Sequence, residues 1–133
     1  RQMCIRDRPI LGHLKIDNPP TETASSSGTH RCGLTTNNNF SVPASNEATT
    51  IQLDNCEDVI GQSGVILITN PGTVSSLSFN LTANYGSGAA ASNILTPGGS
   101  TISYKTTASN IHMLSYYVAA TNKVVVNYIG MLA

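Results

Sequence analysis

The chain has 133 residues, with seven Lys and Arg balanced by seven Asp and Glu, and a pI near 7.0. Charged residues make up 11% of the sequence, compared with about 25% in a typical soluble domain. This balance excludes the basic stripe with which proteins bind nucleic acid. No apolar run approaches the roughly 20 residues of a membrane-spanning helix, so we expect no membrane insertion. The length predicts a single domain.

The first eight residues, RQMCIRDR, differ in character from the rest of the chain. They hold three of the seven Lys and Arg residues. Residues 1–8 resemble the translation of a sequencing adaptor, and we expect them to be an artefact outside the fold. In that case the natural N-terminus and any upstream domains are missing from this sequence.

The next part of the chain predicts a short strand followed by a linker. Residues Gly12–Asp17 alternate apolar and polar side chains, which is the period of a strand. Two prolines and a Ser/Thr-rich run follow in residues 18–28 and indicate a linker. We therefore expect residues 9–38 to hold N-terminal strands and linker, and residues 39–133 to form the main β-domain.

The middle of the chain predicts strands of different character. The stretch ATTIQLDN alternates around Ile51 and Leu53, which is typical of a strand with one covered face. Val65–Thr69 is apolar on both faces and predicts a central strand covered on both sides, ended by an Asn-Pro-Gly turn at 70–72. Residues 76–82 then alternate most regularly of all.

The end of the chain predicts a hairpin. Leu114, Tyr116 and Val118 fall on one face of a strand, and we expect His112 on the same strand to be half-buried or to make a cross-strand contact. The sequence TNK predicts a short connection to a last strand, Val124–Met131, which is apolar on both faces.

The whole pattern predicts an all-β fold. We expect about eight or nine short strands at regular spacing, with turn residues between them. This is typical of an antiparallel β-sandwich of the jelly-roll type, and a small β-barrel is the alternative. No long internal repeat is evident.

The sequence contains no catalytic constellation, so we expect no enzymatic activity and no cofactor. Asp54, Glu57 and Asp58 stand close together in one predicted loop. Their oxygens could bind Ca²⁺, although the spacing of an EF-hand is missing. A solvated acidic loop is the alternative interpretation.

A second candidate site lies in a predicted loop with Asn84, Tyr85 and Ser87. A tyrosine offers an apolar ring and a hydroxyl group, and Asn and Ser add hydrogen bonds, so the loop could contact a sugar. A tyrosine that covers the edge of the sandwich is the alternative.

Two cysteines, Cys32 and Cys56, remain once residues 1–8 are set aside. They would form a disulfide in an extracellular protein and remain buried thiols in one assembled in a reducing cytoplasm. We favour the thiols.

Four stretches carry a resemblance to a known family. NFSVPASNEATTIQLDN, GQSGVILITNPGTVSSLSFN, LTPGGSTISYKT and HMLSYYVAATNKVVVNYIGMLA occur in this order over Asn39–Ala133. Together they resemble a C-terminal β-domain of predicted tail-fibre and other virion-structural proteins of marine bacteriophages. The resemblance implies a non-enzymatic structural role in the virion, contacts with other virion proteins, and attachment to host surface glycans.

A homotrimer fits this resemblance, because a last strand that is apolar on both faces needs a partner chain unless it is central. The alternative function is a secreted bacterial carbohydrate-binding or adhesion module, which we expect to be monomeric and to use calcium. A glycan depolymerase is a third possibility, and it would need two carboxylates facing one cleft.

Overall fold

A computed structural model of the chain describes residues 29–43, 49–69, 79–86, 88–100, 102 and 111–132. The strand predicted at Gly12–Asp17 and the turn predicted at 70–72 lie outside these residues, as does the first part of the alternating stretch 76–82. None of the helices in the described part of the chain is long and apolar enough to cross a membrane.

The described residues form nine strands and three short 3₁₀ helices. The strands are β1 (Thr29–Gly33), β2 (Asn39–Pro43), β3 (Thr49–Asp54), β4 (Ser63–Thr69), β5 (Phe79–Asn84), β6 (Ala89–Ala90), β7 (Ile94–Leu95), β8 (Ile111–Ala120) and β9 (Lys123–Leu132). The 3₁₀ helices are Cys56–Asp58, Ala91–Asn93 and Pro97–Gly99. The all-β class predicted from the sequence is confirmed.

The strands are arranged in two sheets. The first sheet has the order β1-β3-β5-β6 and the second has the order β2-β4-β8-β9-β7. Both sheets are mixed: β1–β3, β3–β5, β2–β4 and β7–β9 are parallel, whereas β4–β8, β8–β9 and β5–β6 are antiparallel. Over the described residues neither sheet closes into a barrel. The antiparallel pairing that we expected therefore holds for only part of the fold.

From β1 to β5 successive strands alternate between the two sheets, so the backbone winds around the core in one direction. We call this winding part of the chain the coil. A parallel neighbour must start at the same end of the sheet, so the chain has to return before it can pair again. Here it returns through the opposite sheet. In the second sheet Asn39 lies opposite Val65, 26 residues further along. Residue alternation is the same in parallel and antiparallel strands, which is why the sequence pattern did not reveal the coil.

Both sheets contribute to one hydrophobic core. β1 supplies Cys32 to this core although it lies in the segment that we expected to be N-terminal strand and linker. The predicted inward face of β8 is confirmed, since Leu114, Tyr116 and Val118 are buried. His112 on the same strand is fully buried, not half-buried, and its Nδ1 atom lies 3.0 Å from the hydroxyl oxygen of Tyr128.

Strand β4 is central in its sheet, as predicted, but its two faces are covered to different extents. Ile66 and Ile68 are buried against the core, whereas Val65 and Leu67 on the other face are half-buried. The expected cover is therefore complete on the inner face of β4 and partial on its outer face.

The sequence GQSG, residues 61–64, contains a buried glutamine, Gln62. Its hydrogen bonds join the turn between β1 and β2 to strand β8. The Nε2 group of Gln62 has three acceptors in reach: the carbonyl oxygens of Leu34 (3.0 Å) and Asn37 (3.2 Å) and the hydroxyl oxygen of Tyr116 (3.1 Å). The Tyr116 hydroxyl donates in turn to the carbonyl oxygen of Asn38 (3.0 Å). The turn between β1 and β2 is therefore tied to β4 and β8.

Both glycines of this motif are required by the backbone. Gly61 has a φ of +90°, a conformation that side chains other than glycine rarely adopt. A Cβ at Gly64 would overlap the carbonyl oxygen of Asn38 and come within 2.8 Å of Cε1 of Tyr116. Gly64 is thus the place where β4 approaches the preceding turn too closely for any side chain.

We predict that Gly64→Ala lowers the free energy of unfolding by about 3 kcal/mol, because the added methyl group meets backbone atoms that cannot rotate away. The adjacent Ser63 is exposed, and Ser63→Ala should change stability by less than about 0.5 kcal/mol. Chemical denaturation of both variants measures the difference. Equal stability of the two variants would contradict the contact between Gly64 and Asn38.

Candidate functional site

Polar side chains gather where three parallel strands of the first sheet end. β1, β3 and β5 end at Gly33, Asp54 and Asn84, and their register places these ends side by side. Because the carboxyl ends of parallel strands meet at one edge of a sheet, residues that are far apart in sequence come together there. We call this cluster the polar rim; it consists of Arg31, Gln52, Asp54, Glu57, Asn84 and Tyr85.

Asp54 is the centre of the polar rim. Its Oδ2 atom lies 3.3 Å from a guanidinium nitrogen of Arg31, and its Oδ1 atom accepts hydrogen bonds from Asn84 Nδ2 (3.2 Å) and from Gln52 Nε2. The Arg31 side chain is 62% exposed and that of Asp54 15%, so the ion pair itself adds little stability. These contacts fix Asp54 and Asn84 in one orientation and compensate the charge of the Asp54 carboxylate.

Behind Asp54, the 3₁₀ helix Cys56–Asp58 places a thiol next to a tyrosine. Cys56 is fully buried, and its Sγ donates to the carbonyl oxygen of Leu53 (3.4 Å). Burial raises the pKa of Cys56 from its ordinary value near 9.0 to about 11, although a hydrogen bond with Tyr85 works in the opposite direction. Burial also raises the pKa of Tyr85, with Cys56 as the next cause. Both groups are therefore protonated and neutral at pH 7.

Two acceptors of the polar rim lack a donor within the part of the chain that the structure describes. These buried oxygens are Glu57 Oε2 and Asn84 Oδ1. A buried acceptor without a hydrogen bond costs roughly 1–3 kcal/mol, so such atoms favour any ligand that brings a donor. Gly86, which is exposed, lies beside Glu57: a Cβ there would stand 3.4 Å from Glu57 Oε1. Gly86 therefore places no side chain against this carboxylate.

The structure unites most of the two candidate sites that the sequence suggested separately. Asn84 of the proposed sugar site touches Asp54 of the proposed metal site, and Glu57 adjoins the same loop. Asp58 is exposed on the 3₁₀ helix. Ser87 lies outside the described residues.

The acidic residues do not form a recognisable metal centre. Within the described ranges, no group of three or more His, Cys, Asp or Glu side chains is arranged to hold a metal ion. Both carboxylate oxygens of Asp54 instead contact Arg31, Gln52 and Asn84.

Sequence reasoning missed Arg31 and Gln52 as members of the polar rim. They are register partners on β1 and β3, and only the parallel pairing places them on a common row. The available signal was weak: Gln52 lies between Ile51 and Leu53 on a predicted strand, whereas Arg31 lies between His30 and Cys32.

Comparison with family models matched no family. Comparisons with curated proteins and with solved structures likewise found no similar chain.

We predict that the chain loses stability as the pH rises from 9 to about 11. The folded chain favours the neutral thiol of Cys56, so its contribution is complete below pH 9 and disappears as the pH passes the raised pKa. One such group changes the free energy of unfolding by at most about 1.4 kcal/mol per pH unit. Urea denaturation at several pH values should give a shallower decline for Cys56→Ala than for the wild-type chain; equal slopes would contradict the assignment.

Proposed function

We propose that this chain is a non-enzymatic structural domain of a bacteriophage virion, of the tail-fibre kind, and that its polar rim contacts glycans on the host surface. The observation that carries the glycan contact is the fixed array around Asp54, which includes the Asn84 amide. Tyr85, the next residue, packs against the hydrophobic core. The structural role in the virion and the location in the particle rest on the sequence resemblance over Asn39–Ala133.

The chemistry of the polar rim suits a neutral, hydroxyl-rich ligand. Sugars present pairs of hydroxyl groups that both donate and accept, and carboxylate and amide groups bind them when they are held still. Arg31 compensates the charge of Asp54, and the remaining carboxylate of the rim, Glu57, disfavours an anionic ligand. The two buried acceptors, Glu57 Oε2 and Asn84 Oδ1, have no donor among the described residues, and a sugar hydroxyl would supply one once a side-chain movement exposes them.

The architecture supports a structural role. A coil of strands with few charges is well suited to an exposed virion appendage, and we propose that it works as a homotrimer in contact with other virion proteins. The cysteines also fit a protein that folds in a reducing cytoplasm: Cys32 and Cys56 are both buried, and no disulfide joins them. This last observation favours the virion domain over the secreted carbohydrate-binding module, which remains the second candidate.

Binding to a printed panel of neutral and acidic bacterial surface oligosaccharides tests the glycan contact. We predict that the labelled chain binds at least one neutral glycan, and that Asn84→Ala weakens this binding tenfold or more, since a tenfold loss corresponds to about 1.4 kcal/mol and one well-placed hydrogen bond.

Asn80→Ala is the matched control, because Asn80 is an exposed asparagine on the same strand, β5, away from the polar rim. Its binding should equal that of the wild-type chain. Failure to bind any oligosaccharide, or equal binding by Asn84→Ala, would refute the glycan contact. Binding that disappears on chelation of calcium would instead favour the secreted module.

A further inference from the structure

The two sheets present outer faces of opposite character. On the first sheet the outward positions are polar; Thr50 and Asn80 form one row, and Arg31, Gln52 and Thr82 form the next. On the second sheet the outward positions are mainly apolar. We call the latter surface the apolar face; it comprises the outward side chains of β4, β7, β8 and β9.

The apolar side chains of this face are contiguous across the strands. At one end, Tyr117 of β8 lies opposite Val125 of β9, which in turn lies opposite Leu95 of β7. Tyr117 is 49% exposed and Leu95 42%. Towards the other end, Leu67 of β4 lies opposite Met113 of β8.

Exposed apolar residues concentrate on these strands. Among the described residues five large apolar side chains are exposed, and four of them belong to β7, β8 and β9: Leu95, Tyr117, Ile129 and Leu132. Scattered exposed apolar residues are normal on a monomer, but a contiguous patch marks a surface that binds another molecule.

The charges and hydrogen-bonding groups of the apolar face indicate what that molecule is. In the described residues of β2, β4, β7, β8 and β9 the one Lys, Arg, Asp or Glu is Lys123, at the hairpin end, where its Nζ donates to the carbonyl oxygen of Ser92. A charged partner therefore finds no complement on this face, whereas a second copy meets no like charge.

A polar row crosses the middle of the apolar face and is also suited to self-association. Ser115 lies opposite Asn127, and each of these side chains can both donate and accept a hydrogen bond. The same row on a second copy can therefore supply hydrogen-bond donors and acceptors to Ser115 and Asn127. A zero net charge at pH 7 adds no overall repulsion between copies.

The size of the face is adequate for an interface. The four strands of the apolar face span roughly 15 Å across the sheet, and its two ten-residue strands, β8 and β9, extend about 30 Å along it. This is on the scale of a standard interface, which buries about 800 Å² on each partner.

We infer that copies of this chain associate through the apolar face of the second sheet, leaving the polar rim of the first sheet free. The inference rests on one part of the proposed function, the association of several copies, and assigns the surface that produces it. It is independent of the glycan contact.

Light scattering after size exclusion, on the full chain over a range of concentrations, tests this inference. The wild-type chain should have a mass that is a multiple of the 14.0 kDa of one chain. Tyr117→Arg should weaken association at least tenfold and shift the mass towards 14.0 kDa, because a charge is then buried without a partner. Asn80→Arg places the same side chain on an exposed position of the polar outer face and should leave the mass unchanged.

Circular dichroism establishes whether each variant is folded. If Tyr117→Arg does not fold, Leu132→Arg tests the other end of the same face, where the side chain is 49% exposed. A wild-type chain that is monomeric at every concentration, or folded Tyr117→Arg and Leu132→Arg variants that keep the wild-type mass, would overturn the inference. A negative glycan panel would leave it intact, since that result concerns the opposite sheet.

Discussion

The close approach of β4 to the turn that precedes β2 is the contact on which the rest of the fold depends. Gly64 lies against the carbonyl oxygen of Asn38, and the same oxygen accepts from Tyr116 while Gln62 binds the neighbouring carbonyls. The contact sets where β2 sits on β4. Since β1 and β2 are joined by that turn, it also fixes β1 relative to the rest of the chain.

The position of β1 in turn decides whether the polar rim exists. Arg31 reaches Asp54 because β1 runs parallel to β3, and Asn84 reaches the same carboxylate because β5 runs parallel on the other side. A shift of one residue in a strand would exchange its inward and outward side chains. Core packing and the chemistry of the rim are thus set by one register.

The sequence predicts some of these features and misses others for physical reasons. Alternation identified β3 and the inward face of β8, because a half-buried strand must separate apolar from polar residues. Alternation carries no information on strand direction, so the coil, and with it the role of Arg31, could not be read from the sequence. Asn84 and Tyr85 were singled out because Tyr and Asn side chains can contact a sugar, but Asn84 ends strand β5 and does not lie in the predicted loop. Gly64 has a purely steric role that the sequence alone does not reveal.

A coil of parallel strands can gain or lose length only in whole turns if each strand is to keep its inward and outward side chains on the same sides. In the second sheet one turn corresponds to 26 residues. GHLKIDNPPT begins at Gly12 and GVILITNPGT at Gly64, twice that distance apart, and half of their letters are identical. These two stretches are therefore offset in sequence by twice the distance between paired residues of β2 and β4. Adding or removing one whole turn would therefore change the length of the protein without requiring a new kind of contact.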